Sequence, residues 1–219
     1  MLSFFLVALS TLLTIVNPLG ALGPFLAMTL GESKERRREI AWRASIVSGG
    51  VLAGCALAGS FIFRFYGITL PALKVAGGVL LFFVAFDMIN ARPSRTKQTA
   101  EEQSEGVMKE DIAVFPLAIP LLSGPGSIVS VFMLSDQAHG FESGLGLYAA
   151  IALTSVVAYF VLREAHRVIG MLGQIGINVI SRLMGLVLAA IAVQFILDGI
   201  KAALPHVAAL VHALNQFIA

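Results

Sequence analysis

Charge is what this 219-residue chain has least of. Asp, Glu, Lys and Arg make up 13% of it, while 58% is hydrophobic and the mean hydropathy is +0.89; an average soluble domain is roughly 25% charged. A water-soluble fold has nowhere to hide so much apolar surface, so the deficit excludes the ordinary globular classes and leaves the bilayer as solvent. Cysteine is almost missing as well. Cys55 stands alone in an apolar run, which excludes an intramolecular disulfide and any dithiol redox pair. The net charge of +2 is too small to attract nucleic acid, and the basic residues are spread between hydrophobic runs instead of gathered in one patch. No Lys or Arg precedes the run over residues 2–16 and no convincing cleavage site ends it, so it reads as a retained helix. The apolar stretches also lack a Ser-His pair, a histidine pair suited to a metal, and two facing acids, since Asp87 and Asp198 are expected near opposite faces. An intramembrane hydrolase is therefore disfavoured, and no catalytic residue, metal or cofactor is assigned beyond a coupling H+ or Na+.

What remains is apolar runs of bilayer length, about 20 residues each. They are placed near residues 2–30, 44–63, 70–89, 112–134, 145–162 and 179–203. The expected fold is an all-α membrane protein of six transmembrane helices. Residues 93–111, rich in Ser, Thr, Gln and Glu, read as a flexible linker between residues 1–92 and 112–204. Residues 205–219, with His206 and His212, read as an interfacial helix or an extension of the last span.

Positive charge fixes orientation, because Lys and Arg in short loops stay on the cytoplasmic side. Lys34, Arg36, Arg37, Arg38 and Arg43 flank the first connection, Arg92, Arg95, Lys97 and Lys109 the third, and Arg163, Arg167 and Arg182 the fifth. The opposite side has only Arg64, Lys74 and Lys201. Both termini are thus expected outside the cell, in a multi-pass protein of the inner (plasma) membrane.

The chain also repeats itself. NPLGALGPF at residues 17–25 faces IPLLSGPGS at 119–127, and LKVAGGVLLFFVAF at 73–86 faces SRLMGLVLAAIAVQ when shifted by 108 positions. That shift superposes Lys74 on Arg182, Gly77 on Gly185 and Asn90 on Asp198. An odd number of spans per half turns the second half over, giving two inverted three-helix repeats, a plan common among secondary transporters.

Proline inside a helix removes a hydrogen bond and clashes one turn back, and glycine admits dihedrals closed to other residues. Pro18, Gly20, Gly23 and Pro24 should therefore unwind the first helix of one half, and Pro120, Gly124, Pro125 and Gly126 that of the other. Unwound backbone survives at membrane depth only when buried in protein or lining a polar cavity. The free amides at the start of each resumed helix suit a carboxylate, and Asn17, Ser123 and Ser127 add neutral donors and acceptors. Together these residues form the candidate site for a small zwitterionic or polar solute. The competing reading is a kinked structural helix whose glycines let neighbours approach.

Asp87 and Gln194 are candidates for a gate or for coupling, with Arg92 or Arg95 able to pair with Asp87. Asp198 and Lys201 have the spacing of a local ion pair, and Gln194 and Asn178 could enter a cavity or bond between helices. Arg163, Glu164, His166 and Arg167 belong to the membrane interface, and Gly49, Gly50, Gly54 and Gly59 should let the second span pack closely.

NPLGALGPF, PLAIPLLSGPGSI and ISRLMGLVLAAIAVQFILDGI together resemble the MarC family of bacterial and archaeal inner-membrane proteins, over essentially the whole chain. The resemblance implies six spans with broken helices in both halves, and a distant likeness to the LysE-type amino acid exporters. The family is named after multiple antibiotic resistance, but members characterised as transporters handle small neutral amino acids such as glycine and alanine. The expectation is a secondary transporter for such solutes, acting by alternating access, with homo-oligomers allowed. A scaffold or a drug-efflux-related protein is the alternative.

Overall fold

The computed structural model describes residues 2–90, 111–138 and 140–218, and among these it contains helices and turns but no β-strand. The helices are α1 (Leu2–Val16), α2 (Leu22–Met28), α3 (Lys34–Tyr66), α4 (Leu70–Ile89), α5 (Ala113–Leu122), α6 (Pro125–Gln137), α7 (Phe141–Arg163) and α8 (Ala165–Ile218). Nearly all of the linker expected at residues 93–111 lies outside the described residues.

Among the described residues, four helices are long and apolar enough to cross a bilayer: Lys34–Gly59 of α3, all of α4 and α7, and Ala165–Leu204 of α8. The pair α5 and α6, bent by 61°, makes a fifth if it is counted as one span, and α1 is apolar but has only 15 residues. The structure therefore has four or five candidate spans where hydropathy suggests six. The difference arises at the two broken segments, where hydropathy runs on through residues that the backbone does not keep in one straight helix. Large apolar side chains are exposed on the outer faces of α3, α4, α7 and α8, among them Leu57, Phe83, Phe160 and Leu186, as a lipid-facing surface requires.

Two antiparallel pairs organise the bundle. A Cβ on Gly185 would fall 2.9 Å from Met88 near the end of α4, and one on Gly199 would fall 2.8 Å from the Pro71 carbonyl at its start. A Cβ on Gly78 would lie 2.7 Å from the Ala192 carbonyl. Backbone contact of this kind is how membrane helices gain dispersion energy without a hydrophobic drive between them. α3 and α7 also run antiparallel, because Trp42 meets Tyr159 edge-on at 5.4 Å while Gly49 meets Ser155 farther along. Of the four glycines expected to bring α3 close, Gly49 and Gly59 lie against Ser155 and Phe132, whereas Gly50 and Gly54 have nothing within 4 Å.

The remaining contacts come in matched sets. α1 packs on α7 and α5 on α3; α2 touches α7 and α8, while α6 touches α3 and α4. The first and fifth connections meet at one end, where Asp111 also lies. Arg37 of α3 contacts His166 of α8, Arg38 Nε donates to Tyr159 of α7 at 3.1 Å, and Arg43 pairs with Asp111 at 2.6 Å just before α5. The start of α1 lies at the other end, with Phe4 and Phe5 beside Gly146. α8 runs on to Ile218, so residues 205–218 extend the last helix.

Candidate functional site

The first break is built by its own sequence. Asn17 has φ +47°, a left-handed conformation that asparagine tolerates better than other non-glycine residues. Its N–H closes α1 on the Leu13 carbonyl at 3.1 Å, as an asparagine ending a helix does, and Pro18 then prevents the helix from resuming at once. The Asn17 carbonyl Oδ1 accepts the Gly20 N–H at 3.2 Å, and its amide folds over Gly20, so a Cβ there would push the Asn17 side chain aside. α2 restarts at Leu22 and lasts seven residues. Gly23 and Pro24 therefore sit in its first turn rather than in the unwound part.

The second break begins earlier than the Gly-Pro motif suggests. The residue before a proline is pushed out of the α region by the proline ring, and Pro116 and Pro120 do this twice in four residues. Phe115 (φ −132°, ψ 126°) and Ile119 (φ −125°, ψ 121°) are accordingly extended, and both following Xaa-Pro bonds are cis. The coil around them is widened, with Ser123 N–H bonding the Ala118 carbonyl five residues back at 2.9 Å. α6 then begins at Pro125, where a missing N–H costs nothing, with Gly124 extended before it (φ −69°, ψ 170°). A third break, at Gly173 (φ +64°, ψ 170°) inside α8, has no counterpart in the sequence reading. No proline marks it, and Gly173 is one glycine among three at equal spacing.

The candidate residues divide by burial. Asn17, Pro18, Ser123, Gly124, Gly126 and Ser127 are buried; Pro24, Pro120 and Asp87 are half-buried; Gly20, Gly23, Pro125 and Gln194 are exposed. The start of α6 meets the end of α1, since a Cβ on Gly126 would lie 3.6 Å from Ile15, two residues before Asn17. Ser123 Oγ is 2.9 Å from Ser48 Oγ on α3 and 3.1 Å from the Ala118 carbonyl, and Ser127 Oγ donates to the Leu122 carbonyl at 3.1 Å. Gln194 lies outside this group: its Nε2 donates to Asp198 Oδ1 at 2.8 Å along the surface of α8. Asp198 thus pairs one turn back instead of with Lys201. Arg92 and Arg95, the partners considered for Asp87, are outside the described residues.

Two residues that the sequence reading passed over stand out. A hydroxyl inside a helix ordinarily donates to the carbonyl one turn back, as those of Thr14, Thr29, Ser130 and Ser155 do at 2.7–3.0 Å. Ser45 on α3 and Thr154 on α7 are 2% and 1% exposed and have no hydrogen-bond partner among the described residues. Leaving a buried hydroxyl unmet costs about 1–3 kcal/mol. Ser45 lies one turn before Ser48, which touches the second break, and Thr154 adjoins Ser155 at the α3–α7 crossing. Serine and threonine at helical spacing next to glycine would have been the sequence signal for this polar seam.

A bundle of apolar helices with outward-facing phenylalanine and leucine, interrupted by unwound backbone and lined by neutral hydroxyls, is a multi-pass integral membrane protein. The model of the MarC family of integral membrane proteins matches residues 2–204, and the chain belongs to that family. It is similar to a UPF0056 membrane protein of Aquifex aeolicus, 39% identical over 92% of this chain and 94% of that one. The UPF0056 membrane protein YvbG of Bacillus subtilis is 37% identical over 94% and 98%, and YhcE of Escherichia coli 34% identical over 89% and 90%. No solved structure matches the chain at a significant level.

Proposed function

We propose that this chain is a secondary transporter of small neutral amino acids of the glycine and alanine type, or of a similarly small polar metabolite, working by alternating access. The reading is supported by the burial of Asn17, Ser123 and Ser127 at two helix breaks, in a bundle whose buried Ser45 and Thr154 hydroxyls have no hydrogen-bond partner among the described residues. A chain that only needed to kink would have no reason to keep such hydroxyls unpaired. A small zwitterion would satisfy them, with its carboxylate toward the first-turn amides of α6. α2, with seven residues, contributes little dipole, so the second break carries more of the binding than the first.

The inverted repeat belongs to this proposal. It is supported by the antiparallel pairing of α3 with α7 and of α4 with α8, and by the matched contacts of α1 on α7 with α5 on α3. On this reading α1 with α2 completes one crossing and α5 with α6 another. The cationic end faces the cytoplasm of a plasma membrane by the positive-inside bias, and a proton or sodium gradient drives the cycle without a chemical step on the solute. The test is uptake or exchange of labelled glycine and alanine by the purified protein in liposomes under imposed proton and sodium gradients. Specific, gradient-dependent accumulation is expected. Absence of both binding and exchange would leave a scaffold as the better account.

A further inference from the structure

The cationic end of the bundle contains a recess whose lining includes none of the candidate residues at the two breaks. A cavity of about 420 Å³ lies between α2, the start of α3 and the α7–α8 junction. Its wall carries Lys34, Arg37, Arg38, Arg163 and Arg167 against two carboxylates, Glu35 and Glu164. Glu164 already answers Arg163 at 3.3 Å and Arg167 at 2.8 Å. Arg37 contacts the imidazole of His166, and Arg38 holds the Tyr159 hydroxyl at 3.1 Å. Three cations therefore share one cavity with less negative charge than they need, an arrangement that an added dianionic or monoanionic phosphate oxygen set would relieve.

What surrounds the cavity selects among phosphates. A second recess of about 480 Å³ adjoins it through Glu35 and Arg38, edged by Trp42, Tyr159 and Glu39, whose carboxylate is taken up by Arg36 at 2.8 Å. Aromatic rings with a polar tip settle at the level of lipid headgroups. From them, exposed apolar side chains lead away from the cations along both helices: Ile46 on α3 is 51% exposed, and Val156 and Phe160 on α7 are 46% and 52% exposed. A free anion has no use for that face, whereas acyl chains do. We infer that this recess holds the phosphate of an anionic phospholipid headgroup, with the acyl chains lying along α3 and α7. Basic pockets between membrane helices are suited to such headgroups.

The test is native mass spectrometry of the protein in neutral detergent, titrated with phosphatidylglycerol and with phosphatidylcholine of the same acyl chains, and with inorganic phosphate as competitor. The phosphatidylglycerol adduct should survive activation and the phosphatidylcholine adduct should not. Arg37→Gln with Arg38→Gln should weaken phosphatidylglycerol by roughly 30-fold, while Arg182→Gln, outside the recess, leaves it unchanged. Equal retention of the two lipids, an unaffected double variant, or displacement of the lipid by equimolar phosphate would each overturn the inference, the last in favour of a free-phosphate site. If the double variant does not fold, Arg37→Lys with Arg38→Lys keeps the charge, and the headgroup comparison on the unaltered protein still decides.

Discussion

The hydrogen bond between Ser48 and Ser123 ties α3 to the second break, and its removal can be worked through from the structure. Both residues are buried, at 4% and 1% exposed, with the oxygens 2.9 Å apart. The two ends are not equivalent. Ser123 also reaches the Ala118 carbonyl at 3.1 Å, while Ser48 has Ser123 as its one side-chain partner among the described residues. Ser48→Ala should therefore leave Ser123 satisfied and cost about 0.5–1 kcal/mol, whereas Ser123→Ala strands a buried hydroxyl and should cost about 1–3 kcal/mol. In the double variant nothing is stranded. Its loss should fall short of the sum of the singles by about 0.6 kcal/mol, and by no more than about 1.7, the span of measured hydrogen-bond couplings between membrane helices. Reversible unfolding in mixed micelles, titrated with a denaturing detergent, reads all four corners of the cycle. Equal single costs with an additive double would refute the bond, and with it the claim that α3 braces the break.

Other consequences can be checked in the same preparations. Gly78→Ala and Gly199→Ala direct a methyl group at the carbonyls of Ala192 and Pro71, 2.7 and 2.8 Å away; each should lower stability by about 1–3 kcal/mol, against less than about 0.5 kcal/mol for Gly54→Ala, and equal melting temperatures would remove the argument for close α4–α8 packing. Ser45→Ala and Thr154→Val delete unmet hydroxyls, so thermal stability should hold or rise while glycine uptake falls about tenfold or more; a fall in stability would show that these hydroxyls are bonded in the fold. Asn17→Ala loses the bond to Gly20 N–H and forces a left-handed conformation on alanine, so it should cost about 1–2 kcal/mol more than Asn17→Gly, which loses the bond alone, by thermal melt.

The long apolar helices were legible in part, the last one beginning at Ala165 and not near residue 179, for physical reasons that also explain the misses. Hydropathy found α4 to the residue, because Thr69 caps its start through Ala72 N–H with Pro71 in the first turn, and Asn90 ends it. It placed the start of α3 ten residues late, since the charged turns from Lys34 to Arg43 are helical but not apolar. The breaks were visible as prolines and glycines, yet their extent was not. Pro116 lies outside the repeated motif and still unwinds Phe115, while Gly23 and Pro24 lie inside it and are helical. The hydroxyls of Ser45 and Thr154 were missed because a small polar residue in an apolar run is common in membrane helices, and only the absence of a partner singles it out.

The two breaks differ in one respect that alternating access would require. Gly23 and Gly124 stand at matching places before Pro24 and Pro125, yet Gly23 is exposed, with nothing within 4 Å of a Cβ placed there, and Gly124 is buried. If the halves are inverted copies, the opposite-facing state is this one with their conformations exchanged, so Gly124 should open as Gly23 closes. Cys55 is the single cysteine, so a Cys55→Ala background allows each position to be probed alone. Gly23→Cys should react quickly with a charged thiol reagent in liposomes, and Gly124→Cys slowly. Glycine together with a driving gradient should slow the first and speed the second, because a solute that binds the two states unequally shifts their populations. Rates at both positions that ignore solute and gradient would show two fixed kinks, and the breaks would then be architecture without a cycle.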